Sequence, residues 1–356
     1  MPSRIERREF AKYLGVAAGL SSGMCHPANA MATTGIRAAA IQMVTELGDV
    51  ESNLAKAEQL VRVALRRGAT WVILPEFFSS GIAFHPRIAD AVRPVEGAPA
   101  QLLRDLAREG NAVVGGSFLA WRDENVRNTF VLALPDGTTR RHDKDYPTFW
   151  ENCYYIGGND DGILQTPVGN VGAAVCWEFI RSKTAARLKG KVGLVVGGSG
   201  WWTAPDSVPV EDDGRKKNRA IMKETPGRFA RMLGVPVIHA AQAGSFVGRT
   251  WPNEGGTYAS HFLGEAQIVD GTGSILARMA REEGEGVLTA DITVGRVAQE
   301  PEAIPDRYWT ADFSEQLYQQ WKKDLKRGHE YYLSTTLPYV KERMRRPADG
   351  VPAARP

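Results

Sequence analysis

The chain has 356 residues, of which 43% are hydrophobic and 24% are charged, and its formal net charge is +3. A chain of this length and composition can bury a large core, either as one extensive α/β domain or as two smaller ones. The basic residues are scattered rather than gathered into one stripe with aromatic residues, so nucleic acid is not an expected partner. No apolar run is long enough to span a bilayer, and no His/Cys cluster has zinc-ligand spacing. We therefore expect neither a membrane span nor a metal.

The first 30 residues have the features of an export signal. Arg7-Arg8 is followed by the mildly apolar stretch 13–20 and then by Ala28-Asn29-Ala30, which has the small-x-small pattern of a cleavage site. This order resembles a twin-arginine signal peptide over residues 1–30, which predicts a periplasmic or secreted protein. The alternative is a disordered or amphipathic N-terminal helix with an incidental arginine pair, which would leave the protein in the cytoplasm.

Strands and helices alternate in the next part of the chain. The clearest helix is predicted over residues 50–67, because its apolar residues recur at helical spacing and Gly68 follows its last turn. Asp136-Gly137 lies between two strand-like runs and indicates a hairpin. The other elements predicted here are a helix over residues 99–108 and strands over residues 36–43, 70–74, 112–118, 129–134 and 138–141.

The following part of the chain begins with a strand of small apolar residues over 170–176, which is predicted to be buried. The turn 197–202 is rich in small residues and ends in two tryptophans. The other predicted elements are strands over 192–196 and 235–240, a helix that starts near residue 180, a helix that ends at residue 233, and three or four strands between residues 258 and 292. This alternation predicts mixed sheets covered by helices, in one domain over residues 33–300.

The chain changes character after Pro301. Residues 315–326 and 331–345 are amphipathic, so residues 301–345 are predicted to form a C-terminal helical extension outside the sheet core. Residues 346–356 are rich in proline and alanine and are predicted to be disordered. Such an extension more often covers a subunit interface or the flank of a domain than contributes chemistry.

Three short segments carry reactive side chains, and each follows a strand-like run. Glu76 is preceded by an apolar strand and followed by two phenylalanines, so its carboxylate should be desolvated and its pKa raised, which suits a general base. Cys176 ends a buried strand just before a helix, where neighbouring positive charge and helix amides can lower the pKa of a thiol. Lys144 is the charge that we place beside it, and Glu151 lies seven residues further on.

Each of these residues also has a simpler interpretation. Most buried cysteines are inert small hydrophobic groups, and most lysines in charged loops are exposed. Glu151 could be an ordinary acid at a helix start, or could fix Lys144 or orient a substrate. Taken together, a thiol nucleophile, an ammonium and a carboxylate at the ends of strands predict a cysteine-dependent hydrolase of carbon–nitrogen bonds.

The same segments resemble the nitrilase superfamily of carbon–nitrogen hydrolases. The glutamate of Leu74-Pro75-Glu76, the lysine of Lys144-x-x-Pro147-Thr148-x-x-Glu151 and the cysteine of Cys176-Trp177-Glu178 correspond to the family's Glu-Lys-Cys triad, and Glu151 corresponds to its second glutamate. The resemblance covers about residues 36–292. It implies a four-layer α-β-β-α sandwich and a homodimer or a dimer-based homo-oligomer.

The resemblance also implies a mechanism without metal or organic cofactor. Cys176 adds to the carbon of an amide or nitrile, Lys144 and the backbone N–H of Trp177 hold the negative charge, and water assisted by Glu76 releases the acid. The Cys176 segment and the Lys144 segment resemble the nitrilase branch, whereas the Glu76 segment resembles the amidase and carbamoylase branches. The choice between nitrile and amide stays open, and so does a cysteine acyltransferase that uses an amine instead of water.

Aromatic residues beside the three segments are candidates for the substrate pocket. They would suit an apolar or aromatic acyl group, although any one of them could instead pack the core between sheets. The predicted substrate-binding residues are Trp177, Trp201, Phe77 and Phe149. Arg181 is a weaker candidate for binding a substrate carboxylate, and His239 and His261 are more consistent with satisfied core or loop histidines.

Overall fold

The computed structural model describes residues 34–204, 212–250 and 255–345. The predicted signal peptide and the predicted disordered tail lie outside these residues. Within the described part of the chain, no helix is long and apolar enough to cross a membrane.

The described residues form a mixed α/β structure. Its strands are β1 Thr34–Val44, β2 Trp71–Ile73, β3 Arg93–Pro94, β4 Val113–Arg122, β5 Asn125–Ala133, β6 Thr139–Asp143, β7 Ile163–Thr166, β8 Gly169–Val175, β9 Leu194–Ser199, β10 Val237–Ala243, β11 Ser245–Arg249, β12 Thr257–His261, β13 Ala266–Val269, β14 Ile275–Met279 and β15 Gly286–Val294. Its α-helices are α1 Val50–Arg66, α2 Arg87–Asp90, α3 Ala98–Gly110, α4 Ser182–Leu188, α5 Asp212–Leu233, α6 Glu315–Tyr331 and α7 Leu337–Arg345. The predicted helix over residues 50–67 agrees with α1, whose first turn is capped by the Asp49 side chain.

Most strands belong to two sheets that share one short contact. The first sheet has the order β6-β5-β4-β2-β1-β15, and the second has the order β7-β8-β9-β10-β13-β14. In each sheet the central strands are parallel and the outer ones antiparallel. The sheets join where residues 42–44 of β1 pair with residues 241–243 of β10.

Side chains alternate between two cores along β1, as expected for a strand buried on both faces. Ala38 and Ala40 belong to a core that also contains Val196 and Ile238 of the second sheet. The intervening Ala39 and Ile41 belong to a core with residues of α1 and α3, and a further core joins the second sheet to α4 and α5. The order of layers is therefore helix, sheet, sheet, helix, which confirms the predicted four-layer α-β-β-α sandwich.

The C-terminal segment forms one continuous helical run rather than two separate helices. A π-helical turn, Tyr332–Thr336, joins α6 to α7 without a break. Position 328, inside α6, is a glycine. A Cβ atom at this position would lie only 2.9 Å from the Cβ of Asn152. The helix therefore packs closely on the short 3₁₀-helix Phe149–Cys153, which follows the Lys144 segment.

Candidate active site

Glu76 lies in the turn after β2, buried at the junction of several segments. Its Oε1 accepts hydrogen bonds from Lys144 Nζ at 2.9 Å and from Asn128 Nδ2 at 2.8 Å, and its Oε2 accepts one from the Gly200 amide at 2.8 Å. Burial raises the pKa of Glu76, Lys144 lowers it and the Glu151 charge raises it, with a net upward shift. This agrees with the expected direction for a desolvated general base.

Lys144 follows β6 and is fully buried between two carboxylates. Its Nζ lies 2.9 Å from Glu76 Oε1, 2.8 Å from Glu151 Oε2 and 3.2 Å from Thr148 Oγ1. Burial disfavours the charged form, but Glu151 and Glu76 outweigh it and hold the pKa of Lys144 well above its ordinary value. An ammonium group has three N–H donors, so these three contacts use all of them.

Glu151 is placed by a cap at the start of the 3₁₀-helix Phe149–Cys153. Its Oε2 accepts a hydrogen bond from the Thr148 amide at 3.0 Å, and the Tyr155 hydroxyl donates to the same oxygen. Glu151 therefore holds Lys144 in place, which is one of the roles considered for Glu151 in the sequence analysis.

Cys176 directly follows β8 and begins the 3₁₀-helix Cys176–Ile180, where the first N–H groups, including that of Trp177, have no acceptor within the helix. The thiol is buried, and burial together with the Glu76 and Glu151 charges raises its pKa well above its ordinary value, against the opposing effect of Lys144. Lys144 lowers the thiol pKa, as expected, but the net shift of the thiol pKa is upward. Two carboxylates and burial outweigh one ammonium, so the resting group is a neutral thiol.

The backbone at the site is held in an uncommon conformation. Phe77, Phe149 and Cys176 have φ angles of 53°, 51° and 54°, in the left-handed region that residues with a side chain rarely adopt. Phe77 directly follows Glu76, Phe149 lies two residues before Glu151, and Cys176 carries the thiol. Such residues cost on the order of 1–3 kcal/mol each and persist where the surrounding structure holds them.

A buried ion network behind the site links the lysine segment to the cysteine segment. Glu178 Oε2 accepts from the Val175 amide at 2.8 Å, one residue before Cys176, and its Oε1 accepts from the Asp145 amide at 3.0 Å, one residue after Lys144. Glu178 therefore fixes the separation of the two segments. The Glu178 carboxylate lies within the quoted Cys-Trp-Glu segment, but nothing in the sequence shows its partners.

His142 completes this network as a charged group. Its Nε2 lies 2.9 Å from Glu178 Oε2, and its Nδ1 contacts Asp160 Oδ1. Burial alone would lower the pKa of His142, but Glu178 and Asp160 raise it to about 10. Because both ring nitrogens face carboxylates, both donate, and the ring is an imidazolium.

Replacing His142 with glutamine should lower the free energy of unfolding at pH 6 by about 3–5 kcal/mol, because two carboxylates lose their buried counter-ion. The contribution of the imidazolium is fully present below the unfolded-state pKa of about 6.5 and is lost as the pH rises toward about 10. The difference between wild type and variant should therefore shrink over this range in urea unfolding experiments. His329→Gln, at an exposed position of α6, is the control. A difference that does not change with pH would contradict a charged His142.

A cavity of about 350 Å³ lies beside Cys176. Of the predicted substrate-binding residues, Trp177, Trp201 and Phe149 line it, and the Trp177 ring contacts the rings of both others. Phe77 does not line it: its ring is fully buried in the core, 6.0 Å from the ring of Tyr155. Three further aromatic residues on the wall are Trp150, Trp202 and Phe313.

Arg181 and His239 lie in the interior rather than on the cavity wall. Arg181 is fully buried and is paired with Asp145, so it does not serve as a carboxylate site. The Nε2 of His239 lies 2.8 Å from Ser199 Oγ, and burial lowers its pKa to about 3, so the ring is neutral. Among the described residues there is no group of three or more His, Cys, Asp or Glu side chains that could hold a metal ion.

A layered fold with a buried glutamate, lysine and cysteine beside a cavity is the arrangement expected of a hydrolytic enzyme. Residues 37–301 match the family model described as carbon-nitrogen hydrolase, and the chain belongs to this family. It is therefore an enzyme that hydrolyses carbon–nitrogen bonds.

Named relatives fall in two branches of this family. The chain is 28% identical over 264 residues to an N-carbamoylputrescine amidase of Solanum lycopersicum, covering 70% of this chain and 83% of the relative. It is 26% identical over 309 residues to Nitrilase 2 of Arabidopsis thaliana, covering 77% and 85%. A solved carbon-nitrogen hydrolase from Helicobacter pylori G27 has a TM-score of 0.61 and 18% identity, and the match covers 88% of this chain and 99% of that one. The structural match supports the fold.

Proposed function

We propose that the protein hydrolyses the amide bond of a small, largely apolar substrate through a thioester on Cys176. The observation that carries this proposal is the thiol at the cavity wall, next to a lysine held between two buried carboxylates. The amidase relatives favour an amide, and the nitrilase relatives make a nitrile the second candidate.

The first half-reaction starts from the neutral thiol. Glu76, which raises the thiol pKa by its charge and a hydrogen bond, accepts the thiol proton as sulfur attacks the carbonyl carbon. The N–H of Trp177 and the Lys144 ammonium stabilise the oxyanion, and Lys144 contributes a donor by releasing its longest contact, to Thr148. Glu76 then donates the proton to the departing nitrogen, the carbon–nitrogen bond breaks, and ammonia or an amine leaves.

The second half-reaction consumes water. Glu76 takes a proton from the water molecule, whose oxygen attacks the thioester carbon, and the acid leaves as the sulfur recovers the proton. With a nitrile, sulfur adds to the carbon of the triple bond, the nitrogen takes up a proton, and hydrolysis of the resulting thioimidate and thioester releases ammonia and the acid. The carboxylate must be ionised to act as a base in both halves.

An ammonia-release screen over matched aliphatic and aromatic amides, N-carbamoyl compounds and nitriles tests this function. We expect ammonia and the matching acid in equal amounts from one or more amides whose acyl group contains an apolar chain, because the wall is mainly aromatic. Formation of a new amide when an amine is added would instead indicate an acyltransferase. No ammonia or acid from any of these compounds would contradict the proposal.

Export and assembly stay predictions. The support for export is the Arg7-Arg8 pattern in the sequence, and the support for a dimer is the family resemblance. N-terminal sequencing of the mature protein and light scattering in solution are the measurements that check them.

A further inference from the structure

The C-terminal segment forms one wall of the substrate cavity, although it lies beyond the matched family region, which ends at residue 301. Phe313, Leu317 and Asp324 line the cavity together with Cys176. The Phe313 ring stacks on that of Trp177, with ring centroids 5.9 Å apart and an interplanar angle of 26°. The segment is thus packed directly against the residue next to the nucleophile.

Asp324 is an unusual group for this wall because it is an acid that is only 7% exposed. Its Oδ1 accepts one hydrogen bond, from Gln320 Nε2 at 3.0 Å, and no ion pair of the described residues includes it. The positive charges that act on it belong to Arg327 and Lys323, whose side chains are exposed. Burial raises the pKa of Asp324, and this effect exceeds the opposing effects of Gln320, Arg327 and Lys323.

The other charged residues of the cavity wall already have partners. Glu151 binds Lys144 at 2.8 Å, and Arg215 also takes part in an interaction. The remaining wall is mainly aromatic, and aromatic faces attract cations. A desolvated cation on the α6 side of this cavity would therefore meet the Asp324 carboxylate and aromatic rings.

Building on the proposed function, we propose that Asp324 binds an ammonium group of the substrate. The preferred substrates are then aliphatic amides, or the corresponding nitriles, that carry a primary amine at the end away from the bond that is cleaved. A buried carboxylate that forms no ion pair is costly, and an ammonium group that enters the cavity supplies a paired charge and hydrogen bonds.

Two amides of nearly equal shape test this inference. In δ-aminovaleramide an ammonium group replaces the terminal methyl group of hexanamide, so the ratio of their kcat/KM values isolates recognition of the charge. We expect wild type to prefer δ-aminovaleramide, and Asp324→Asn to lower the ratio about 10- to 100-fold, mainly through KM. Glu330→Gln, on an exposed position of the same helix, is the matched control and should keep the wild-type ratio.

The outcomes separate this inference from the proposed function. A wild-type enzyme that prefers hexanamide, or a variant in which both substrates lose kcat/KM equally, would overturn the role of Asp324 while leaving the hydrolase intact. If neither amide nor the matching nitriles are hydrolysed, the full substrate screen decides about the proposed function. Calorimetry then measures binding of δ-aminovaleramide to the Cys176→Ala protein. Binding that is lost when Asp324→Asn is added to this protein supports the site, and no binding to Cys176→Ala overturns it.

Discussion

Replacing Cys176 with alanine should reduce ammonia release to background, a loss of kcat on the order of 10⁴- to 10⁶-fold. Cys176 is the thiol on the cavity wall, and removing it leaves Glu76 and Lys144 without a nucleophile to activate. The alanine side chain is smaller and fits the same backbone site, so the fold should persist. Intact-mass measurement of wild type during turnover should show the acyl group on Cys176, and the variant should show none.

The second cysteine provides a control for this experiment. Cys153 is buried, does not line the cavity, and has a pKa raised strongly by burial, so it is a poor nucleophile. Cys153→Ala should therefore retain turnover of the same order as wild type. Residual ammonia release by Cys176→Ala that matches wild type would show that the reaction does not pass through this thiol.

Replacing Lys144 with methionine should both slow turnover and destabilise the fold. Removal of an oxyanion-stabilising donor typically costs about 10²- to 10³-fold in kcat. Breaking a buried ion pair by removing one partner typically costs about 3–5 kcal/mol, and here two carboxylates, Glu76 and Glu151, would face each other without a cation. Urea unfolding and steady-state ammonia release on the same preparation measure the two effects.

A double variant separates catalysis from folding at this position. Lys144→Met with Glu151→Gln removes one positive and one negative charge, so it should recover part of the lost free energy of unfolding. Turnover should stay low, because the oxyanion still lacks the ammonium. A double variant with near-normal kcat would mean that Lys144 serves only to balance charge.

The residues that we propose as reactive could be located in the sequence because their signals are local. Glu76 and Cys176 each follow an apolar strand, and Lys144 follows a hairpin marked by Asp-Gly, so the neighbouring residues indicate that these side chains come together. The predicted four-layer fold likewise follows from motifs and alternation of elements that are visible along the chain.

Other features depend on contacts between distant segments. The thiol pKa is set by how many charges surround Cys176 in space, and Glu76, Lys144 and Glu151 lie at different sequence distances from it. Phe77 follows Glu76 directly, but its left-handed backbone turns the ring into the core instead of the cavity.

Contacts between distant segments also place residues that carry no signal in the sequence. The pairing of His142 with Glu178 joins segments 36 residues apart, and neither side chain carries a motif for it. Asp324 lies on a helix that was expected to cover a flank or an interface. Its place on the cavity wall depends on close packing of α6 against Asn152, which Gly328 permits.

The left-handed backbone at Phe77, Phe149 and Cys176 restricts which substitutions these positions accept. A glycine would relax the backbone at any of the three positions, but at Cys176 it would also delete the reactive sulfur, and at Phe149 part of the cavity wall. The backbone at these three positions therefore tolerates few substitutions that keep the site intact. New substrates are more easily accommodated by altering the walls supplied by α5 and the C-terminal segment than by moving the thiol, the lysine or the carboxylates.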